Sequence, residues 1–206
     1  MNIVSKDNYL YKVWHFFVKR ILHISIGKMH YLRLNTDIGV VNKKLESFNL
    51  PVKELTYDDF LKGDKTVFHG KKLELIKNRL QDSNYKCYGI IENERLIYST
   101  WFSLERLGLS VNTKPIYLLP NEGLLEDSYC DPIARGRGLH SMMNFYRIKK
   151  LYELGRNRVL GMVLEGNTPA FKVQFKSGME DLGTFYNGYL FGFKINTLKK
   201  EKFDNK

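Results

Sequence analysis

Residues 124–140, Leu-Leu-Glu-Asp-Ser-Tyr-Cys-Asp-Pro-Ile-Ala-Arg-Gly-Arg-Gly-Leu-His, constrain the fold more than any other stretch of the chain. A β-prone run ends at Pro132, two glycines alternate with two arginines, and an amphipathic run continues through Leu154. The order is strand, turn, helix. Proline cannot donate to a ladder, so the chain leaves the sheet before the turn begins. Gly136 and Gly138 allow backbone angles that other residues resist. The first turn of the following helix presents N–H groups without intrahelical acceptors at the positive end of the helix dipole. Such a turn holds anions, and Arg135 and Arg137 add charge-assisted donors. Residues 159–164, Val-Leu-Gly-Met-Val-Leu, supply a strand beyond the helix. A right-handed helical crossover of this length joins strands that lie parallel.

The rest of the chain is read around this unit. Leu73, Ile76 and Leu80 share a helical face, which predicts a helix over 71–80. The β-rich runs 85–91 and 96–102, separated by Glu92-Asn93-Glu94-Arg95, predict an antiparallel hairpin. Residues 116–119 read as a third strand and 124–130 as a fourth, so that four strands in meander order precede the glycine turn. Residues 29–37 permit a half-buried strand, and the polar, turn-rich stretch 51–63 is expected to begin the substrate-facing part. The helix after the turn is expected from about Arg137 to Leu154, capped by Gly155, and its apolar residues form no single clean stripe. A short helix is expected over 167–177, and a last β portion over 184–195 with a hairpin turn at Asn187-Gly188. The fold class is α/β (α+β mixed sheet): a central mixed sheet flanked by helices.

The glycine turn, taken with Asn-Thr-Pro-Ala-Phe-Lys-Val-Gln-Phe-Lys-Ser-Gly-Met at 167–179, resembles the GNAT superfamily of acetyl-CoA-dependent N-acyltransferases. The family's pyrophosphate loop reads Arg/Gln-x-x-Gly-x-Gly/Ala, and Arg135, Gly138 and His140 occupy its defined positions. Asn167 and Ala170, with Gly178 beyond them, look like the family's Asn-x-x-Ala segment. Two residues depart from the pattern. His140 stands where the family has Gly or Ala, and Gln174 stands where many members carry the tyrosine taken to protonate the departing thiolate. The resemblance implies a GNAT-like fold and acetyl-CoA as co-substrate without a metal. It also implies a cofactor-binding set of Cys130, Arg135, Gly136, Arg137, Gly138, Leu139, His140 and Asn167.

The implied reaction moves an acetyl or longer acyl group from a thioester to a primary amine of a small molecule or amino sugar. Alkyl amines are mostly protonated at neutral pH, with a reference pKa of about 10.4, so a carboxylate must accept the proton. Glu126 and Asp127 are the candidates. Alternation along a strand predicts that one of them faces the cleft and the other the opposite surface. Tyr129 is a catalytic candidate as the acid in place of the missing tyrosine, with Tyr186 and Tyr189 as alternatives. Cys130 is expected as a packed small residue beside the pantetheine arm. Two other readings stay open: a non-catalytic GNAT-fold module holding an anionic partner, and a longer-chain acyl or aminoacyl transferase.

Composition bounds these readings. A chain of 206 residues with 43% hydrophobic and 27% charged residues suits one folded domain. The formal net charge of +11 favours anionic partners of any kind. Cys87 and Cys130, the only cysteines, sit in apolar runs and read as reduced thiols. The five histidines are too scattered for a metal cluster. Residues 9–26 place Leu10, Val13, Trp14, Phe17 and Ile21 at helical spacing with Lys12, Lys19 and Arg20 around them. That segment suits either an anionic membrane surface or packing on the domain or a second subunit, with Gly27 ending the helix. The expected division is a basic amphipathic segment over 1–27, a GNAT-like domain over 28–198 and a charged, frayed tail over 199–206. The location expected is cytoplasmic, allowing peripheral contact with the inner membrane face. Nucleic acid is not an expected partner, and the oligomeric state stays open.

Overall fold

The computed structural model describes residues 23–49, 51–109 and 116–200, together with Val13, Trp14, Phe16, Val18 and Lys114. Its frame is an eight-stranded sheet in the order β2-β3-β4-β5-β6-β1-β7-β8. The strands are β1 (Ser25–Asn35), β2 (Val52–Glu54), β3 (Tyr85–Glu92), β4 (Arg95–Ser103), β5 (Glu122–Cys130), β6 (Arg158–Leu164), β7 (Glu180–Leu190) and β8 (Phe193–Asn196). The helices are α1 (Ile38–Leu45), α2 (Tyr57–Leu61), α3 (Gly70–Leu80), α4 (Leu139–Glu153) and α5 (Thr168–Lys176), with a 3-10 turn at Pro132–Ala134. Every neighbouring pair is antiparallel except β5 and β6, which the α4 crossover joins in parallel as expected.

Alternation divides the core between the two faces of the sheet. Leu125, Val159 and Leu32 point to the face that α1, α4 and α5 cover, where Phe145, Ile148 and Leu151 of α4 meet Val41 of α1. Their neighbours Leu124, Leu160 and Tyr31 point the other way, toward Leu107, Phe185 and Leu198. On that second face α2 and α3 cover β3 and β4 through Phe60, Phe68, Ile76 and Trp101. Local chemistry sets the element ends. Asp37 accepts from the N–H groups of Gly39 and Val40 to start α1. Asn93 and Glu94 adopt positive φ in the two-residue turn of the β3–β4 hairpin.

Several expectations are corrected. Residues 116–119 form no strand of the sheet. Tyr117 makes one isolated bridge to Arg106, and β4 pairs directly with β5, leaving no edge there for another strand. The meander before the glycine turn is therefore β2-β3-β4-β5, with its first member inside the stretch read as turn-rich. Asn187-Gly188 is not a turn. It lies inside β7, and the reversal comes at Phe191-Gly192. A Cβ on Gly188 would stand 1.8 Å from the Ser25 carbonyl oxygen, so the glycine marks close backbone approach. Most of the amphipathic segment lies outside the described residues. Val13, Trp14, Phe16 and Val18 are helical, but the chain is strand from Ser25, and Gly27 pairs with Asn187 instead of capping a helix. Helix α4 begins at Leu139, two residues later than expected. Lys200, placed in the frayed tail, is buried and ion-paired with Glu122 at 2.7 Å; residues 201–206 lie outside the described residues.

Candidate active site

The site begins where the sheet comes apart. The β5–β6 ladder runs from Glu122↔Arg158 to Leu125↔Gly161 and stops. Beyond it β5 stays with β4 through Ser128↔Thr100 and Cys130↔Tyr98, while β6 stays with β1 through Leu164↔Met29. The two strands therefore leave a wedge between them. Its cause lies in β5. Between Thr100↔Ser128 and Phe102↔Leu125, β5 has one residue more than β4, so Glu126 and Asp127 together oppose Trp101. Such a bulge bends the strand and increases its twist. The resulting cavity, about 1230 Å³, is lined at its β5 wall by Leu125, Glu126, Asp127, Ser128 and Cys130, and at its mouth by Arg135, His140 and Asn167.

At the mouth, Gly136 and Gly138 have φ of 80° and 74°, and a Cβ on either would meet nothing within 4 Å. The loop from Arg135 to Gly138 is exposed. The N–H groups of Gly136, Arg137, Gly138, Leu139 and His140 find no acceptor among the described residues, and no side chain caps α4. Five successive donors without a protein acceptor thus lie at the positive end of a fifteen-residue helix. The Leu139 side chain itself is buried in the core. The arginines divide. Arg135 lines the cavity and makes no ion pair with a described residue. Arg137 is held by Glu92 in a two-pronged pair at 2.8 and 2.7 Å, which ties the loop to the β3–β4 turn.

His140 Nδ1 lies 2.6 Å from the Tyr98 hydroxyl. Burial, with the nearby Arg147 charge, pulls its pKa down to about 4, so it is neutral at pH 7. Burial pushes Tyr98 up to about 12, so the phenol keeps its proton. Cys130 is half-buried, and burial raises its thiol above the usual range. A protonated thiol without a neighbouring base is a packing residue. Asn167 lines the cavity and accepts from the Ala170 N–H at 3.4 Å, capping α5.

The bulge overturns the alternation expected for the two carboxylates. Adding a residue reverses strand parity, so Glu126 and Asp127 both reach the α3 side while Ser128 and Cys130 face α4. Glu126 is buried, accepts from Ser103 Oγ at 3.0 Å and lies 3.5 Å from Arg79. Burial raises its pKa, against the opposing effects of Arg79 and Ser103. Gly108 closes over it: a Cβ there would stand 2.1 Å from Glu126 Oε1. Asp127 is exposed and paired with Lys72 at 2.5 Å. Tyr129 faces away from the cleft. Its ring packs on Phe68 at 4.8 Å, and its hydroxyl donates to Asp131 at 3.3 Å. Tyr189 does line the cavity, whereas the stretch 51–63 does not.

Sequence reasoning named His140 but missed the polar face of α4 that it begins. His140, Asn144 and Arg147 recur at helical spacing beneath the cleft. Arg147 is 1% exposed, and its Nη1 donates to the Trp101 and Glu126 carbonyls at 3.1 and 3.0 Å, bracing the bulge. Its Nη2 donates to Asn144 Oδ1 at 2.6 Å. Asn144 in turn donates to Gln174 Oε1 at 3.2 Å and to Ser177 Oγ at 2.5 Å. The signal was present as the polar residues that break the apolar pattern of the helix. Among the described residues no group of three or more His, Cys, Asp or Glu is placed to hold a metal ion.

No protein-family model matches the chain, and no curated protein matches its sequence. Solved structures do. One, described as a GNAT-family acetyltransferase from Novosphingobium aromaticivorans, superposes with a TM-score of 0.54 at 14% identity over 79% of this chain and 63% of its own. A GNAT-family acetyltransferase from Colwellia psychrerythraea gives 0.53 at 10% identity over 79% of this chain and 56% of its own. The chain has the GNAT fold. A conserved protein of unknown function from Staphylococcus epidermidis superposes as well, with a TM-score of 0.55 at 11% identity over 90% of this chain and 67% of its own. The chain spans less than two thirds of the length of both acetyltransferases.

Proposed function

We propose that the protein is an acyl-CoA-dependent N-acyltransferase acting on a primary amine of a small molecule or amino sugar. The observation that carries this reading is the set of five unsatisfied amides over Gly136–His140, in a segment whose two ends, Arg135 and His140, line the wedge between β5 and β6. The GNAT fold supports it. Gly136–His140 and Arg135 would grip a diphosphate, and Asn167 would bond the amide-bearing arm that descends into the wedge. Bound there, the donor supplies a thioester carbonyl to the amine.

The new C–N bond forms at that carbonyl as its C–S bond breaks. Glu126 takes the proton that the amine must lose, directly or through water. Its raised pKa makes it a stronger base than an exposed carboxylate. Asp127, half in solvent, attracts the cationic acceptor toward the cleft. The departing thiolate, with a reference pKa of ~8.5, needs little help, and Tyr189, a tyrosine of the cavity lining, is our candidate to give it. Tyr129, turned into the α3 layer, takes no part. Release of free thiol from acetyl-CoA in the presence of a panel of primary amines tests the reading. Binding of CoA without thiol release for any amine would favour a non-catalytic module, and absence of CoA binding would remove both.

A further inference from the structure

The end of the sheet where the wedge opens carries large apolar side chains in the open. Strand β1 starts there and β7 finishes there, in register at Ser25↔Tyr189, and the two-residue turn Phe191-Gly192 leads on into β8. The Gly192 N–H donates to the His23 carbonyl at 3.4 Å, and the Ile24 N–H to the Val18 carbonyl at 3.0 Å. The hairpin tip therefore lies beside the turn that follows the helical residue Val18. Phe193 is 76% exposed, Phe191, Trp14 and Phe16 are each 62% exposed, and Ile26 is 41% exposed. Apolar side chains gathered on a surface in this way mark a place of contact with something else.

The turn itself adds a second observation. Phe191 and Gly192 have φ of 48° and 80°, the type I′ pattern, whose first position ordinarily takes Asn, Asp or Gly. A bulky side chain there is held against its backbone preference, and with the Phe191 ring largely in solvent, burial does not offset the strain. Charge then selects the partner. Residues 8–36 and 182–199, which hold all five exposed side chains, contain five and two lysines or arginines respectively and no aspartate or glutamate. Lys12 adjoins Val13, and Lys194 adjoins Phe193. Glu165, across from β1, is taken up by Lys28 at 2.7 Å. A second copy of the chain, docked about a two-fold axis, would set this basic surface against itself. Aromatic rings interleaved with cations fit an anionic bilayer instead, where rings sit at headgroup level and cations meet lipid phosphates.

We propose that this end of the molecule docks on an anionic lipid membrane, with Phe191, Phe193, Trp14 and Phe16 entering the interface. The inference goes beyond the acyl-CoA reading and does not depend on it. Val18, Ile24, Ile26 and Tyr189 also line the wedge, so docking brings this side of the cleft to the lipid surface.

The test is co-sedimentation of the full chain with vesicles of phosphatidylcholine alone and with vesicles containing about one third phosphatidylglycerol, repeated with the double variant Phe191→Asn, Phe193→Ser. The wild type is expected to bind the anionic vesicles about ten-fold more tightly than the neutral ones, and several-fold less tightly at 0.5 M than at 0.1 M salt. The double variant is expected to bind the anionic vesicles about ten-fold more weakly than the wild type. Its Tm should not fall, because asparagine suits the first turn position better than phenylalanine. Equal binding of wild type and variant overturns the inference, and so does failure of the wild type to bind either vesicle. In that second case, a dimer in sedimentation velocity that the double variant loses assigns the surface to a second copy, and binding of a short single-stranded oligonucleotide assigns it to nucleic acid.

Discussion

Glu126 holds its proton more tightly than an exposed carboxylate, because burial disfavours its charged form more than Arg79 and Ser103 favour it. As a base it must be ionised, so the acid limb of the pH–rate profile for thiol release should lie above the usual carboxylate range. Glu126→Gln should lower the rate about 10²-fold, the span typical of a positioned base. The same shift has a stability sign. A carboxyl with a raised folded-state pKa contributes stability that is lost as pH rises through that pKa. A neutral glutamine escapes this loss, so denaturant unfolding should show the variant gaining on the wild type as pH rises from 4 to 8. A wild-type rate in Glu126→Gln would remove it from the mechanism. Gly138→Asp is the matching test at the loop. At a φ of 74°, with open space where a Cβ would go, the substitution puts strain and negative charge where the phosphates belong. CoA affinity should fall at least 100-fold while far-ultraviolet circular dichroism is unchanged. Both residues were legible in the sequence as an acidic pair on a strand and a glycine before a helix. The orientation of the pair was not, because one inserted residue reverses parity and a bulge has no signature in alternation.

Helix α4 does two things at once, and only one of them was readable. Its N-terminal turn follows from Pro132 and the glycines, which stop one element and start the next. Its underside beyond His140, namely Asn144 and Arg147, reads in sequence as noise in an apolar pattern, and becomes a polar face with His140 only when the wedge above it is known. That face makes a distinct prediction. His140 is held neutral, with a pKa of about 4 against 6.5 for a free side chain. A histidine with a depressed pKa contributes stability that is present above 6.5 and is lost as pH falls from there toward 4. The unfolded chain takes up a proton that the folded helix refuses, at a cost on the order of 3 kcal/mol. Thermal unfolding followed between pH 7 and pH 4.5 should show a steep fall in Tm that His140→Gln flattens. An equal fall in both proteins would place the acid sensitivity elsewhere.

Across the whole molecule, the sheet was legible wherever pairing is local and illegible where strands meet from far apart in sequence. The β3–β4 hairpin and the β5-α4-β6 crossover follow from turn chemistry and length. The insertion of β1 between β6 and β7 does not, and it is what turns Asn187-Gly188 from a turn signal into a point of close backbone approach. Function divides similarly between a global charge and a local cradle. A net charge of +11 attracts any polyanion, ATP as well as CoA, and that attraction is screened within about 10 Å at 0.1 M salt and about 3 Å at 1 M. Amides fixed at the start of α4 act at contact distance and discriminate by shape. A ligand at one hundred times its Kd stabilises the folded state by about 2.7 kcal/mol, or about 5–10 °C in Tm for a chain of this size. CoA should therefore raise Tm by that amount in both 0.1 M and 0.5 M salt, with the Gly138→Asp protein unresponsive. ATP should give a smaller shift that disappears at the higher salt. If CoA and ATP shift Tm alike and salt removes both effects together, the binding belongs to the charge of the surface and the cradle at Gly136–His140 has no ligand of its own.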